Sequence, residues 1–256
     1  MADDLGVAVA PGAWHTQRDV WVALGCELGL LCGTLGKIAK DIALLAQGEI
    51  AELAEPSGAA NGDNRGGSSA MPHKRNPVAS MIALAASLRA PHRVAALLAA
   101  MPQAHERGLG DWQAELAEWP GLFLSAHGAV HALADAAAGL SVDTPRMRRN
   151  IDALHGLVFA EGAAMLLAPQ LGKARAQALL EGLARAASAE QPLLQLMQQT
   201  IAADAALAAH VDAAALLAAF DADAVARQAS AMAAPQWVGL RTEAAALDAQ
   251  PFRIQT

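Results

Sequence analysis

Residues 21–45 read WVALGCELGLLCGTLGKIAKDIALL. Trp21, Leu24, Leu28, Leu31, Leu35, Ile38, Ile42 and Leu45 recur at alternating steps of three and four, a heptad stripe on one long helix. Such a stripe is stable only against other helices, so the stretch predicts a helical bundle. With Asp19 as N-cap and Pro56 as the stop, the helix would run roughly 50 Å at 1.5 Å per residue. Gly25, Gly29 and Gly33 line up four apart on it, which weakens the helix but opens a groove for a second backbone. One chain offers few partners for so long a stripe, and the uncovered part predicts self-association.

The composition agrees. With 256 residues, 54% of them hydrophobic and 17% charged, the chain can bury a substantial core. It is rich in Ala and Leu, has four Phe and no Tyr, and lacks alternating β-branched runs, which predicts an all-α fold with little or no sheet. The formal net charge of −7 and the absence of a Lys/Arg block exclude a nucleic-acid partner. Val20 to Gly36 carries only Glu27 and is nearly long enough to cross a bilayer. Glu27 stands in its middle, however, and the pattern continues through Lys37, Lys40 and Asp41, so no membrane partner is expected. Cys26 and Cys32 fall on different faces of the helix and read as buried, reduced thiols; with no leader pattern at Met1, the cytoplasm is the expected compartment.

After the long helix, residues 55–67 read EPSGAANGDNRGG, a loop dense in Gly, Asn, Asp and Pro. Asn76 as cap and Pro77 in the first turn open a second helix, kinked at Pro91 and stopped by Pro102. A polar junction from Gln103 to Gly110 leads to a third helical pattern from Asp111 to Leu140, with a break or kink at Pro120-Gly121; Thr144-Pro145 opens another. Shorter patterns follow at 172–189, 191–203 and 212–232, and the tail from Pro235 reads as loose. The expected domains are therefore a long-helix bundle over 1–169, with its loop at 55–77, and a small helical domain over 170–256.

The chemistry concentrates in Gly66 to Pro77, GGSSAMPHKRNP. Two glycines and the hydroxyls and amides of Ser68 and Ser69 can approach an oxyanion closely. Lys74 adds positive charge, Asn76 an amide, and the following helix its free N–H groups and dipole, which together suit a carboxylate. A serine in that field is a candidate base for a proton next to a carboxylate. The bland reading, an ordinary Gly/Ser loop before a capped helix, accounts for generic loops of this composition.

This chain matches the pattern GSSxMPxKxN at Gly67, Ser68, Ser69, Met71, Pro72, Lys74 and Asn76, and in this it resembles the fumarase/aspartase superfamily. The resemblance implies that Ser68 acts as base and that Lys74 and Asn76 bind substrate. Two branches share SSAMPHKRNP and the upstream His15-Thr16-Gln17-Arg18-Asp19. The segment 101–120, MPQAHERGLGDWQAELAEWP, and 142–152, VDTPRMRRNID, are similar to the carboxymuconate cycloisomerase branch. In the adenylosuccinate lyase branch the HER motif is followed by groups that hold a phosphate; here Asp111, Glu115 and Glu118 would repel one. The resemblance implies cofactor-free interconversion of an open-chain tricarboxylate and its γ-lactone, with Ser68, Ser69 or a water as proton donor.

It also implies substrate contacts for Gln17 and Arg18, for which N-terminal capping is the plainer role. His105, Glu106 and Arg107 form a polar cluster at a helix junction, where Arg107 suits a second substrate carboxylate and capping and a salt bridge are the plainer roles. The remaining histidines show no metal-ligand spacing, so no metal is expected. The family assembles each site from three separated segments of a homotetramer, and this chain carries the signature segment while beginning partway into the family's pattern. The isolated polypeptide is accordingly expected to be inactive. The reading from another class is a non-catalytic helical oligomerisation module.

Overall fold

A computed structural model describes residues 15–56, 66–67, 70–71 and 74–249. Three long helices form the first compact unit, which ends at Thr144: α1 (Asp19–Leu45), α2 (Val78–Ala99) and α3 (Asp111–Ala138). Along α1, Gly25 meets Leu97, Gly29 meets Val94 and Gly36 meets Ser87, so α1 and α2 run antiparallel. One layer of the core joins Cys32, Ala90, Leu97, Trp119, Leu122 and Ala126; the next joins Ala39, Ile42, Ala83, Ala86, Ala129 and Leu133. Small residues make up half of the first layer and most of the second, which brings the helices close.

The heptad stripe divides. The line of α1 that faces the bundle is Val22, Gly25, Cys32, Gly36, Ala39 and Ile42, while Leu24, Leu31 and Ile38 stay 39–46% exposed. Periodicity locates both apolar lines but cannot say which one the chain itself covers. The glycine groove is real at Gly25 and Gly29, where an added Cβ would come within 2.8 Å of Leu97 and 2.9 Å of Val94; Gly33 faces open space and Gly36 takes its place. Cys32 is fully buried, and desolvation raises its pKa above the ordinary thiol value; Cys26 is only half-buried. Both α1 and α2 are long and apolar enough to cross a membrane by length and composition alone.

Several element limits move. The cap of α1 is Arg18 rather than Asp19, and the helix stops at Leu45, well short of Pro56. The chain turns through Gln47 to Ala51, whose φ is 51°, and enters a two-residue strand, β1 (Leu53–Ala54). β1 pairs antiparallel with β2 (Ser141–Val142), Leu53 against Val142 and Ala54 against Ser141, so a small sheet exists among the described residues. The helices α2 and α3 continue through Pro91 and Pro120.

The second unit begins at Pro145, not near 170. Its helices are α4 (Thr144–Asp152), α5 (Ala160–Leu171), α6 (Lys173–Ala186), α7 (Leu193–Ala203), α8 (Ala205–His210), α9 (Ala213–Ala219) and α10 (Ala222–Asp248). Ala163 and Leu167 of α5 are buried with Ala176, Leu180, Leu193, Met197 and Leu216, which places α5 in this core and shifts the boundary. Asp204, Asp212 and Asp221 cap α8, α9 and α10 by accepting backbone N–H bonds. The helix α10 runs through Pro235, so the expected loose tail is helical as far as Asp248.

Gly36→Ala should be destabilising, because its Cβ would collide with Ser87, and overpacking costs about 1–3 kcal/mol. Gly33→Ala meets nothing and should stabilise by roughly 0.5–1 kcal/mol. Urea midpoints of the two variants check this opposite sign.

Candidate functional site

The signature residues sit where α2 begins, and β1 decides the geometry there. By pairing with β2 it carries Glu55 to the first turn of α2. The Glu55 carboxylate accepts from the backbone N–H of Ala79 and of Ser80, each at 2.9 Å, and from Ser80 Oγ at 2.7 Å. The cap residue is Pro77, without a side-chain bond, so Asn76 does not cap the helix as expected. Nor are the N–H groups open to a ligand: Val78 N donates to Asn76 O at 3.0 Å, and Met81 N to Pro77 O at 2.9 Å. The chain's own carboxylate occupies the place that the sequence suggests for a substrate's.

Asn76 is held through its backbone instead, donating from N to Gly66 O at 2.8 Å. Gly66 has φ 76°, and a Cβ there would collide with Asn76 O, so both its conformation and its space require glycine. Lys74 is exposed, with its N–H on Met71 O at 2.9 Å. Lys74 and Arg75 line an open cavity of about 490 Å³, opposite Glu52 and Asp143. Ser68 and Ser69 lie outside the described residues.

The other expected contacts gather around Glu115, which is 2% exposed. Its Oε1 accepts from Trp21 Nε1 at 3.0 Å and Trp119 Nε1 at 3.3 Å; its Oε2 accepts from Gln103 Nε2 at 3.1 Å and pairs with Arg18. Arg18 is therefore a buried partner of Glu115 and not a group open to substrate, and burial lowers its pKa from the ordinary guanidinium value. Gln103 passes the order on: its Oε1 accepts from Gly108 N at 3.1 Å. Between them His105 and Arg107 are exposed with φ of 57° and 49°, left-handed conformations that cost non-glycine residues roughly 1–2 kcal/mol each. The Arg107 guanidinium stands 5.6 Å from the centre of the Trp112 ring, and Gln17 is exposed beside Arg18.

Two of the three acidic groups expected to repel a phosphate are neutralised, Glu115 by Arg18 and Glu118 by Arg93 at 2.8 Å. They give no electrostatic ground for choosing between the two branches.

Lys74 and Asn76 thus stand before the start of α2, and His105 and Arg107 beyond its end. Gln17 stands at the latter end, since Trp21 contacts Trp119 with ring centroids 4.4 Å apart. The 22 residues of α2 separate the two groups by roughly 30 Å at 1.5 Å per residue. A single copy does not bring them into one site. Of the two carboxylates that organise these ends, Glu55 escapes the sequence reading and Glu115 figures there only as a group repelling phosphate, because an acidic residue in a polar segment carries no local sign of burial. No group of three or more His, Cys, Asp or Glu is placed to hold a metal among the described residues.

Residues 4–90, which include the signature, match the family model described as Lyase. A 3-carboxy-cis,cis-muconate cycloisomerase from Pseudomonas aeruginosa is 48% identical over 187 residues, 73% of this chain and 40% of the relative. Another, from Bradyrhizobium diazoefficiens, is 43% identical over 211 residues, 82% of this chain and 45% of the relative. The crystal structure of 3-carboxy-cis,cis-muconate lactonizing enzyme from Pseudomonas putida superposes with a TM-score of 0.68 at 42% identity, covering 86% of this chain and 48% of that one. The chain spans less than half the length of these curated relatives.

Glu115→Ala should destabilise the first unit by about 3–5 kcal/mol, the usual result of leaving a buried charge without its partner. Glu118→Ala, whose pair with Arg93 is partly exposed, should cost far less. Chemical denaturation of both variants measures the difference.

Proposed function

Because this chain belongs to the fumarase/aspartase lyase superfamily, we propose that it is the signature-bearing segment of a 3-carboxy-cis,cis-muconate cycloisomerase. The observation that carries this reading is the 43–48% identity to cycloisomerases from two bacteria. The reaction joins a carboxylate oxygen of the open-chain substrate to an alkene carbon and delivers a proton to the neighbouring carbon, next to a second carboxylate. In the reverse direction that proton is removed and the ring carboxylate leaves. No electrons are exchanged with a cofactor.

Such a reaction needs fixed positive charge for the carboxylates and a proton carrier at the reacting carbon. Lys74 supplies the first at the 490 Å³ cavity that it lines, and Asn76, two residues on, adds an amide. Ser68 or Ser69, in the same segment, supplies the second, directly or through a water. Gln17, His105 and Arg107 contact a further carboxylate, and Arg18 contributes by fixing Glu115 behind them.

The separation of the two groups along α2 supports a site shared between copies. The uncovered Leu24, Leu31 and Ile38, seven residues apart on α1, support helix pairing between chains. We therefore assign the protein as a homotetramer that acts on a small polycarboxylate in the cytoplasm, in the protocatechuate branch of aromatic degradation. The apolar lengths of α1 and α2 then serve helix packing and not a bilayer.

A chimera that places the N-terminal part of the Pseudomonas aeruginosa relative before this chain tests the reading. It should turn over 3-carboxy-cis,cis-muconate and leave adenylosuccinate untouched, with little or no turnover by the 256-residue chain alone. Lys74→Ala in the chimera should lower kcat/KM by roughly 100-fold, the loss of a charged contact of about 3 kcal/mol. Turnover of adenylosuccinate would contradict the assignment.

A further inference from the structure

We propose that Glu55 is a positioning residue: it closes the base of the signature segment and sets where Lys74 and Asn76 stand before substrate arrives. The inference rests on the reading of that segment as the substrate loop, and it adds a residue outside the signature.

The geometry forms a chain of fixed points. Leu53 and Ala54 are tied to Val142 and Ser141, and Asp143 N donates to Glu52 O at 2.9 Å. Pro56, on the other side of Glu55, packs on Gly139, where an added Cβ would come within 2.8 Å of the proline ring. The Glu55 backbone is thus held against the end of α3. Its carboxylate takes three donors from Ala79 and Ser80, and Ser80 is itself fully buried, so the two ends of the segment 56–78 meet at one ion-dipole contact. Within that outer closure lies an inner one, where Asn76 N reaches Gly66 O across the signature residues.

Two consequences follow. The N–H groups of residues 78–81 all have partners, so the dipole of α2 acts on the substrate only through residues that Glu55 orders. Second, a variant at Glu55 should act on the inner closure, 10 or more residues away in sequence, while leaving the middle of the bundle alone. A residue that only caps a helix would change exchange at Ala79 and Ser80, whose N–H groups it accepts, and leave Asn76 as it is.

Hydrogen exchange on the 256-residue chain separates these outcomes. In Glu55→Ala the amides of Asn76, Ala79 and Ser80 should exchange roughly tenfold faster, the effect of losing a helix cap, with those of Cys32 and Leu122 unchanged. Glu55→Gln, which keeps one acceptor oxygen, should fall between that variant and the parent. Ser80→Ala, which removes one of the three bonds, should give a smaller change of the same pattern and serves if Glu55→Ala fails to fold. Titration of the chimera with citrate, a tricarboxylate probe, should show roughly tenfold weaker binding in its Glu55→Ala variant. Unchanged exchange at Asn76, or a uniform rise across α1, α2 and α3, would overturn the role of Glu55. A parent chimera that fails to bind citrate would count against the substrate reading, while the exchange at Asn76 would still decide the role of Glu55.

Discussion

The buried carboxylate of Glu115 is the contact on which the first unit is organised. It joins the start of α1 through Arg18 and Trp21, the polar junction through Gln103, and α3 through Trp119. Four donors meet its charge, which offsets the desolvation that burial imposes. Removing it would take a buried anion away from Arg18, the two indoles and the Gln103 amide. The exposed His105 and Arg107 keep their strained backbone because Gln103, held by Glu115, fixes the chain at Gly108.

A second carboxylate does the corresponding work at the other end of α2, where Glu55 fills the helix N-terminus. The bundle between the two is rigid, built from alanines, glycines and a few leucines that allow close helix approach. The apolar line Leu24, Leu31 and Ile38 of α1 stays uncovered within the chain.

Much of this was legible in residues 21–45 and 66–77. The heptad spacing gives helices and a bundle, and the signature gives the superfamily that the similarity to known cycloisomerases supports. The limits of that reading have physical causes. Leu24 and Val22 are both apolar, and only the neighbours decide that Val22 is buried within the chain while Leu24 is not. Leu45 ends α1 because β1 pairs with a strand almost 90 residues later, which no local pattern reports. Asn76-Pro77 looks like a cap, but a glutamate from beyond the intervening loop takes that role. Arg18 reads as a substrate contact or a cap until Glu115, on another helix, is seen to pair with it in the core.

One copy holds its two polar clusters at opposite ends of α2. The most direct measurement is a pulsed electron-spin distance between labels at Lys74 and Arg107, in protein lacking Cys26 and Cys32 and diluted with unlabelled chain. The account predicts an intrachain distance of roughly 30 Å or more, set by the length of α2. A dominant distance about half that long would place both clusters in one site of a single copy and contradict it.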